Sequence, residues 1–171
     1  MESGTKRIAL TTVFGVLLFL FKIVLPSPID KMVVIFHALL LALGALLLRK
    51  MGSTYVAFVG GVLTALWRIA WAPFTFAFAL LYGFLVDGLF FLLRIDTVRG
   101  TLDPIKLVTV MTISTVLMGL LSYYTTVYVF GLLQRNLIFE IGLLLTGTLN
   151  GAVAGYVTPI IWNKYLKNFV L

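Results

Sequence analysis

The sequence predicts an all-α membrane protein, a single domain built as a bundle of six transmembrane helices with both termini cytoplasmic. Three observations predict it. Sixty-one per cent of residues are hydrophobic and 11% charged, against roughly a quarter charged in a soluble domain, and the mean hydropathy is +1.12. The apolar residues fall in runs near the ~20 residues that a helix needs to cross the ~30 Å hydrocarbon core. Proline and polar clusters separate those runs, and the 171 residues leave no room for a further domain.

The predicted spans are 8–25, 32–48, 53–71, 74–93, 107–130 and 137–162. Lys6 and Arg7 before the first run also suit a signal peptide. That run is long for one, however, and Pro26-Ser27-Pro28 follows instead of a small-residue cleavage site, so it reads as a retained helix. Arg49-Lys50-Met51-Gly52 separates the second and third spans, Ala72-Pro73 the third and fourth, the polar segment 94–106 with Gly100 and Pro104 the fourth and fifth, and Gln134-Arg135-Asn136 the last two. Such residues stop helices because continuation loses hydrogen bonds or clashes.

Basic residues set the orientation. With the N-terminus inside, Lys6, Arg7, Arg49, Lys50, Arg94, Arg99, Lys106, Lys164 and Lys167 are cytoplasmic, and Lys22, Lys31, Arg68 and Arg135 are external. Nine against four favours that arrangement in a cell membrane. The net charge of +7 thus reflects topology and contact with anionic lipid headgroups, not nucleic acid.

The residue inventory argues against an enzyme. Cysteine is absent and histidine occurs once, which removes disulfides, thiolate chemistry and multi-histidine metal sites. No Ser-His pair stands at helical spacing and no acidic cluster is present, so no cofactor is expected.

The unusual side chains fall in the outer half of the predicted bundle. His37 lies about 8 Å below the outer end of its helix, at 1.5 Å per residue. Trp67, Arg68 and Trp71 end the third span, Tyr82 lies on the fourth, Tyr123, Tyr124 and Tyr128 on the fifth, and Gln134 and Glu140 begin the sixth. Aromatic walls with a few polar groups suit a small polar ligand. The expected site comprises His37, Trp67, Arg68, Trp71, Tyr82, Tyr124, Gln134 and Glu140. Interfacial anchoring explains tryptophan and tyrosine equally well, Arg68 can snorkel, His37 suits a packing role, and Glu140 suits the positive end of a helix dipole.

Asp87 sits about 10 Å from the inner end of its helix, too deep for easy snorkelling. Asn150 comes to a similar depth, so an Asp87–Asn150 hydrogen bond is the expected pairing, with proton coupling through Asp87 as the alternative. Gly147, Gly151 and Gly155 form a doubled GxxxG stripe, which predicts close helix packing. Thr112, Thr115, Gly119 and Ser122 make a weaker stripe on the fifth span, and Thr11 and Gly15 on the first.

The stretch 37–93 resembles the S components of energy-coupling-factor transporters, especially the hydroxymethylpyrimidine or thiamine family. The resembling segments are Leu48-Arg49-Lys50-Met51-Gly52, Gly60-Gly61-Val62-Leu63-Thr64-Ala65 and Leu81-Tyr82-Gly83-Phe84-Leu85-Val86-Asp87-Gly88, with the glycine-rich run 147–155 looking similar too. The resemblance implies a six-helix substrate-binding subunit for vitamin or small-metabolite uptake. A separate transmembrane coupling protein and a pair of cytoplasmic ATPases would be its partners, which accords with the absence of a Walker motif. Thr11 and Gly15 stand in place of the family's Ala-xxx-Ala motif. Arg68 stands where thiamine-type members carry an acid, which suits an anionic or neutral ligand. A structural or assembly subunit of a larger membrane complex and an autonomous proton-coupled carrier are the other functions compatible with the sequence.

Overall fold

The computed structural model describes residues 2–24, 34–48, 50–95 and 102–166. Pro26, Ser27, Pro28, Lys31, Arg49, Arg99, Gly100 and Lys167 lie outside them. Six α-helices make up the described chain, with no strand among its residues: α1 (Glu2–Val24), α2 (Val34–Leu48), α3 (Gly52–Trp67), α4 (Ala72–Leu92), α5 (Pro104–Tyr124) and α6 (Leu137–Ile161). A 3-10 turn, Ile69–Trp71, joins α3 to α4, and π-helical turns Thr125–Val129 and Trp162–Leu166 extend α5 and α6.

Two prolines begin helices. Pro104 is the first residue of α5, where its missing N–H costs nothing, and Asp103 caps the helix by accepting from the Ile105 N–H at 2.9 Å. The helix therefore starts before the predicted 107. Pro73 lies in the first turn of α4 in the same way.

The helix at the centre is α2, which touches each of the other five. Nine of its 15 residues are buried, and it is apolar on every side, the pattern of a helix surrounded by protein. Leu41, Ala42 and Leu46 join Val56, Val86, Leu107, Val110 and Met111 in the core.

Glycines set the closest approaches. A Cβ on Gly151 would meet Thr112 Cα at 2.5 Å and Met111 O at 2.6 Å, and one on Gly155 would meet Val108 Cα at 2.5 Å. The stripe on α6 is thus filled by the backbone of α5, and Gly147 continues it against Val116. Likewise a Cβ on Gly83 of α4 would lie 2.8 Å from Ser53 O of α3.

Asp87, one turn beyond Gly83, uses that proximity. Its carboxylate accepts from Ser53 N at 3.1 Å, Thr54 N at 2.8 Å and Thr54 Oγ1 at 2.7 Å. Met51, the residue before α3, has φ 57° and gives no side-chain cap. Asp87 therefore supplies from α4 the acceptor that the first turn of α3 needs, at the positive end of its dipole. The expected Asp87–Asn150 pair does not form, because the close α3–α4 packing holds Asp87 on α3. Nearby, Arg7 donates to Leu48 O at 2.7 Å and closes the C-terminus of α2.

Among the described residues, three segments, Ile69–Leu92, Pro104–Val129 and Leu137–Leu166, are long and apolar enough to span a membrane, and α2 and α3 are shorter apolar helices. Phe91, Leu145, Leu149 and Ile138 stand exposed on the outside of the bundle. Segments of this length with an apolar exterior on an apolar core suggest a membrane protein.

Candidate functional site

A cavity of about 370 Å³ lies in the half of the bundle away from the N-terminus, and all six helices line it. The C-terminal parts of α1, α3 and α5 and the N-terminal parts of α2, α4 and α6 meet there. A Cβ on Gly119 of α5 would meet nothing within 4 Å, so the space is open there, while Phe78, Tyr82, Tyr123 and Phe139 give the cavity ring-bearing walls. Its volume falls in the range of small-molecule pockets, ~300–1,000 Å³.

Among the described residues, Lys22 is the one charged residue of the lining, and no carboxylate lines it. His37, Ser122 and Asn150 add polar groups, as do Thr64, Thr115, Thr126 and Thr146. Tyr82 hydrogen-bonds Thr115 Oγ1 at 2.9 Å. Thr115 gives its own proton to Met111 O at 2.6 Å, so the Tyr82 hydroxyl is the donor of that pair.

The loop after α5 covers one side. Gly131, at φ 62°, turns the chain, Leu133 reaches the cavity, and the Tyr123 hydroxyl accepts from Asn136 N at 2.9 Å. Asn136 in turn caps α6 through Ile138 N at 2.9 Å. One tyrosine thereby fixes the end of α5, the loop and the start of α6 together.

Of the residues expected at a site, His37 and Tyr82 line the cavity, and Asn150 joins them instead of meeting Asp87. The others lie elsewhere. Trp67 is 65% exposed, and Arg68 reaches Lys22 O at 3.4 Å, at the end of α1. Trp71 packs edge-on against Phe130 at 5.5 Å, and Tyr124 stacks on Tyr128 at 5.9 Å. Gln134 is exposed. Glu140 is buried but pairs with Arg135 Nε at 3.0 Å, and that hydrogen bond pushes the exposed Arg135 guanidinium above its ordinary pKa. Rotation about the helix axis separates Tyr124 from Tyr123, since neighbours on a helix point about 100° apart.

Lys22, Thr64, Ser122, Tyr123, Thr126 and Thr146 are lining residues that sequence reasoning did not select. Thr115, Gly119 and Ser122 gave a signal as small residues at helical spacing, read as a packing stripe. Thr112, from the same stripe, does pack on Gly151 of α6. Among the described residues no cluster of three metal-ligating side chains occurs.

No family model, curated protein or solved structure matches the chain.

Proposed function

We propose that this protein is the substrate-binding membrane subunit of an uptake transporter of the energy-coupling-factor type, an S component, crossing the cell membrane six times with both termini inside and taking up a vitamin or another small metabolite. The observation that carries the reading is the ligand-sized cavity, lined from every helix and placed in the outer half of the proposed topology. A protein that only packs among other subunits has no use for such a space in its own core, where voids forfeit dispersion contacts. The glycine stripe that would favour a structural subunit is occupied by α5 of the same chain. Asp87, the residue a proton-coupled carrier would need, is engaged through both carboxylate oxygens as a helix cap. In the proposed mechanism the cavity takes its ligand from outside, and a transmembrane coupling protein with two cytoplasmic ATPases drives release inward.

Native mass spectrometry of the protein extracted in mild detergent tests this reading. A small molecule retained in stoichiometric amount, and released by Leu143→Trp in the cavity wall, supports it. A chain that carries nothing, and gains nothing when exposed to a cell-extract metabolite pool, overturns it.

A further inference from the structure

Five of the hydroxyl groups that line the cavity share one property that constrains what can bind there. Thr64 donates its proton to Gly60 O at 2.6 Å, Thr126 to Ser122 O at 2.8 Å, Thr146 to Gly142 O at 2.8 Å and Thr115 to Met111 O at 2.6 Å. Each is the back-bond of a helical threonine to the carbonyl four residues earlier. Tyr82 spends its proton on Thr115. A hydroxyl has one proton and two lone pairs, so these five lining residues have only acceptor capacity left for a ligand.

Asn150 is the complement. It lies midway along α6, lines the cavity, and its carboxamide makes no hydrogen bond with the described residues. A carboxamide within a membrane bundle is costly unless something meets it. With a carbonyl acceptor and an N–H₂ donor side by side, it matches an N–H/C=O edge on a ring.

Charge narrows the choice further. Among the described lining residues no carboxylate offers a cation a partner, Lys22 already has an interaction within the chain, and the five hydroxyls with only lone pairs to spare oppose an anion. Resting on the proposed transport function, we infer that the ligand is an uncharged ring compound that donates N–H or O–H hydrogen bonds, read by the Asn150 carboxamide and by the acceptor-only hydroxyls of Tyr82 and the threonines. Phe78, Tyr123 and Phe139 supply stacking area for such a ring.

Four commercial compounds of one size test this on the full-length protein in detergent by saturation-transfer NMR titration. Uracil is uncharged and carries two N–H donors, 1,3-dimethyluracil keeps the ring without donors, orotate adds a carboxylate, and N-methylpyridinium is a flat cation. The expected result is that uracil binds at least about tenfold tighter than each of the other three, the factor for loss of one or two hydrogen bonds. Asn150→Leu and Tyr82→Phe, each confirmed as folded by circular dichroism, should reduce that preference to within about threefold. Equal or tighter binding of 1,3-dimethyluracil, orotate or N-methylpyridinium, or an undiminished preference in both variants, overturns the inference and leaves the cavity as a ligand site. Failure of all four to bind, with no molecule retained in native mass spectrometry, overturns the transport reading as well.

Discussion

Replacement of Gly151 tests the close approach of α5 and α6. Its added Cβ would lie 2.5 Å from Thr112 Cα, 2.6 Å from Met111 O and 2.8 Å from Thr112 N. All three are backbone atoms, so no side chain can rotate away. Carbon atoms in good contact sit about 3.5–4.0 Å apart, so alanine alone forces α5 and α6 apart by about 1 Å. Overpacking of this kind costs roughly 1–3 kcal/mol, and leucine costs more because separation strips contacts along the whole glycine stripe. Gly155 faces the same geometry, with Val108 Cα at 2.5 Å and Leu107 O at 2.7 Å. Gly147 differs, because its nearest neighbour is the Val116 side chain at 3.3 Å, which can shift. The expected order of thermal stability in detergent, followed by tryptophan fluorescence, is wild type near Gly147→Ala, then Gly155→Ala and Gly151→Ala, then Gly151→Leu. Leu144→Ala, at a 40% exposed position, should melt close to wild type. A Gly151→Leu protein as stable as Leu144→Ala would refute the close approach of α5 and α6.

Asp87→Leu leaves the Ser53 and Thr54 N–H groups without their acceptor, at roughly 1–3 kcal/mol each; faster amide exchange at the start of α3 should accompany the lower melting temperature, whereas Asp87→Asn retains one acceptor and should lose less. Arg68→Ala and Trp67→Ala should leave the affinity for any retained ligand within about twofold, because neither side chain lines the cavity; a tenfold loss in both would return the site to the end of α3. In the naturally cysteine-free chain, single cysteines at Lys50 and Arg99 should label only from the cytoplasmic side and one at Gln134 only from outside. External labelling at position 50 would invert the proposed topology.

Helix number, approximate helix positions and the packing role of the α6 glycines were legible in the sequence because each is a local property. Apolar runs need helical backbone bonds, proline and polar clusters interrupt them, and three glycines four residues apart necessarily share a face. The half of the bundle carrying most polar and aromatic groups was also readable from depth along each helix. Rotation about each axis was not. Tyr124 and Tyr123 are equivalent in sequence terms, yet Tyr123 is buried at the cavity and bonded to Asn136 while Tyr124 faces Tyr128. Depth likewise suggested Asn150 for Asp87, but the contact across Gly83 delivered Asp87 to the bare N-terminus of α3 and left Asn150 at the cavity. The sequence by itself determined which segments are helical and how apolar they are, since those follow from side chains within a few turns. Tertiary structure alone decided that α2 is central, which faces meet and where space remains, because these depend on the shapes of helices far apart in the chain packing together at once.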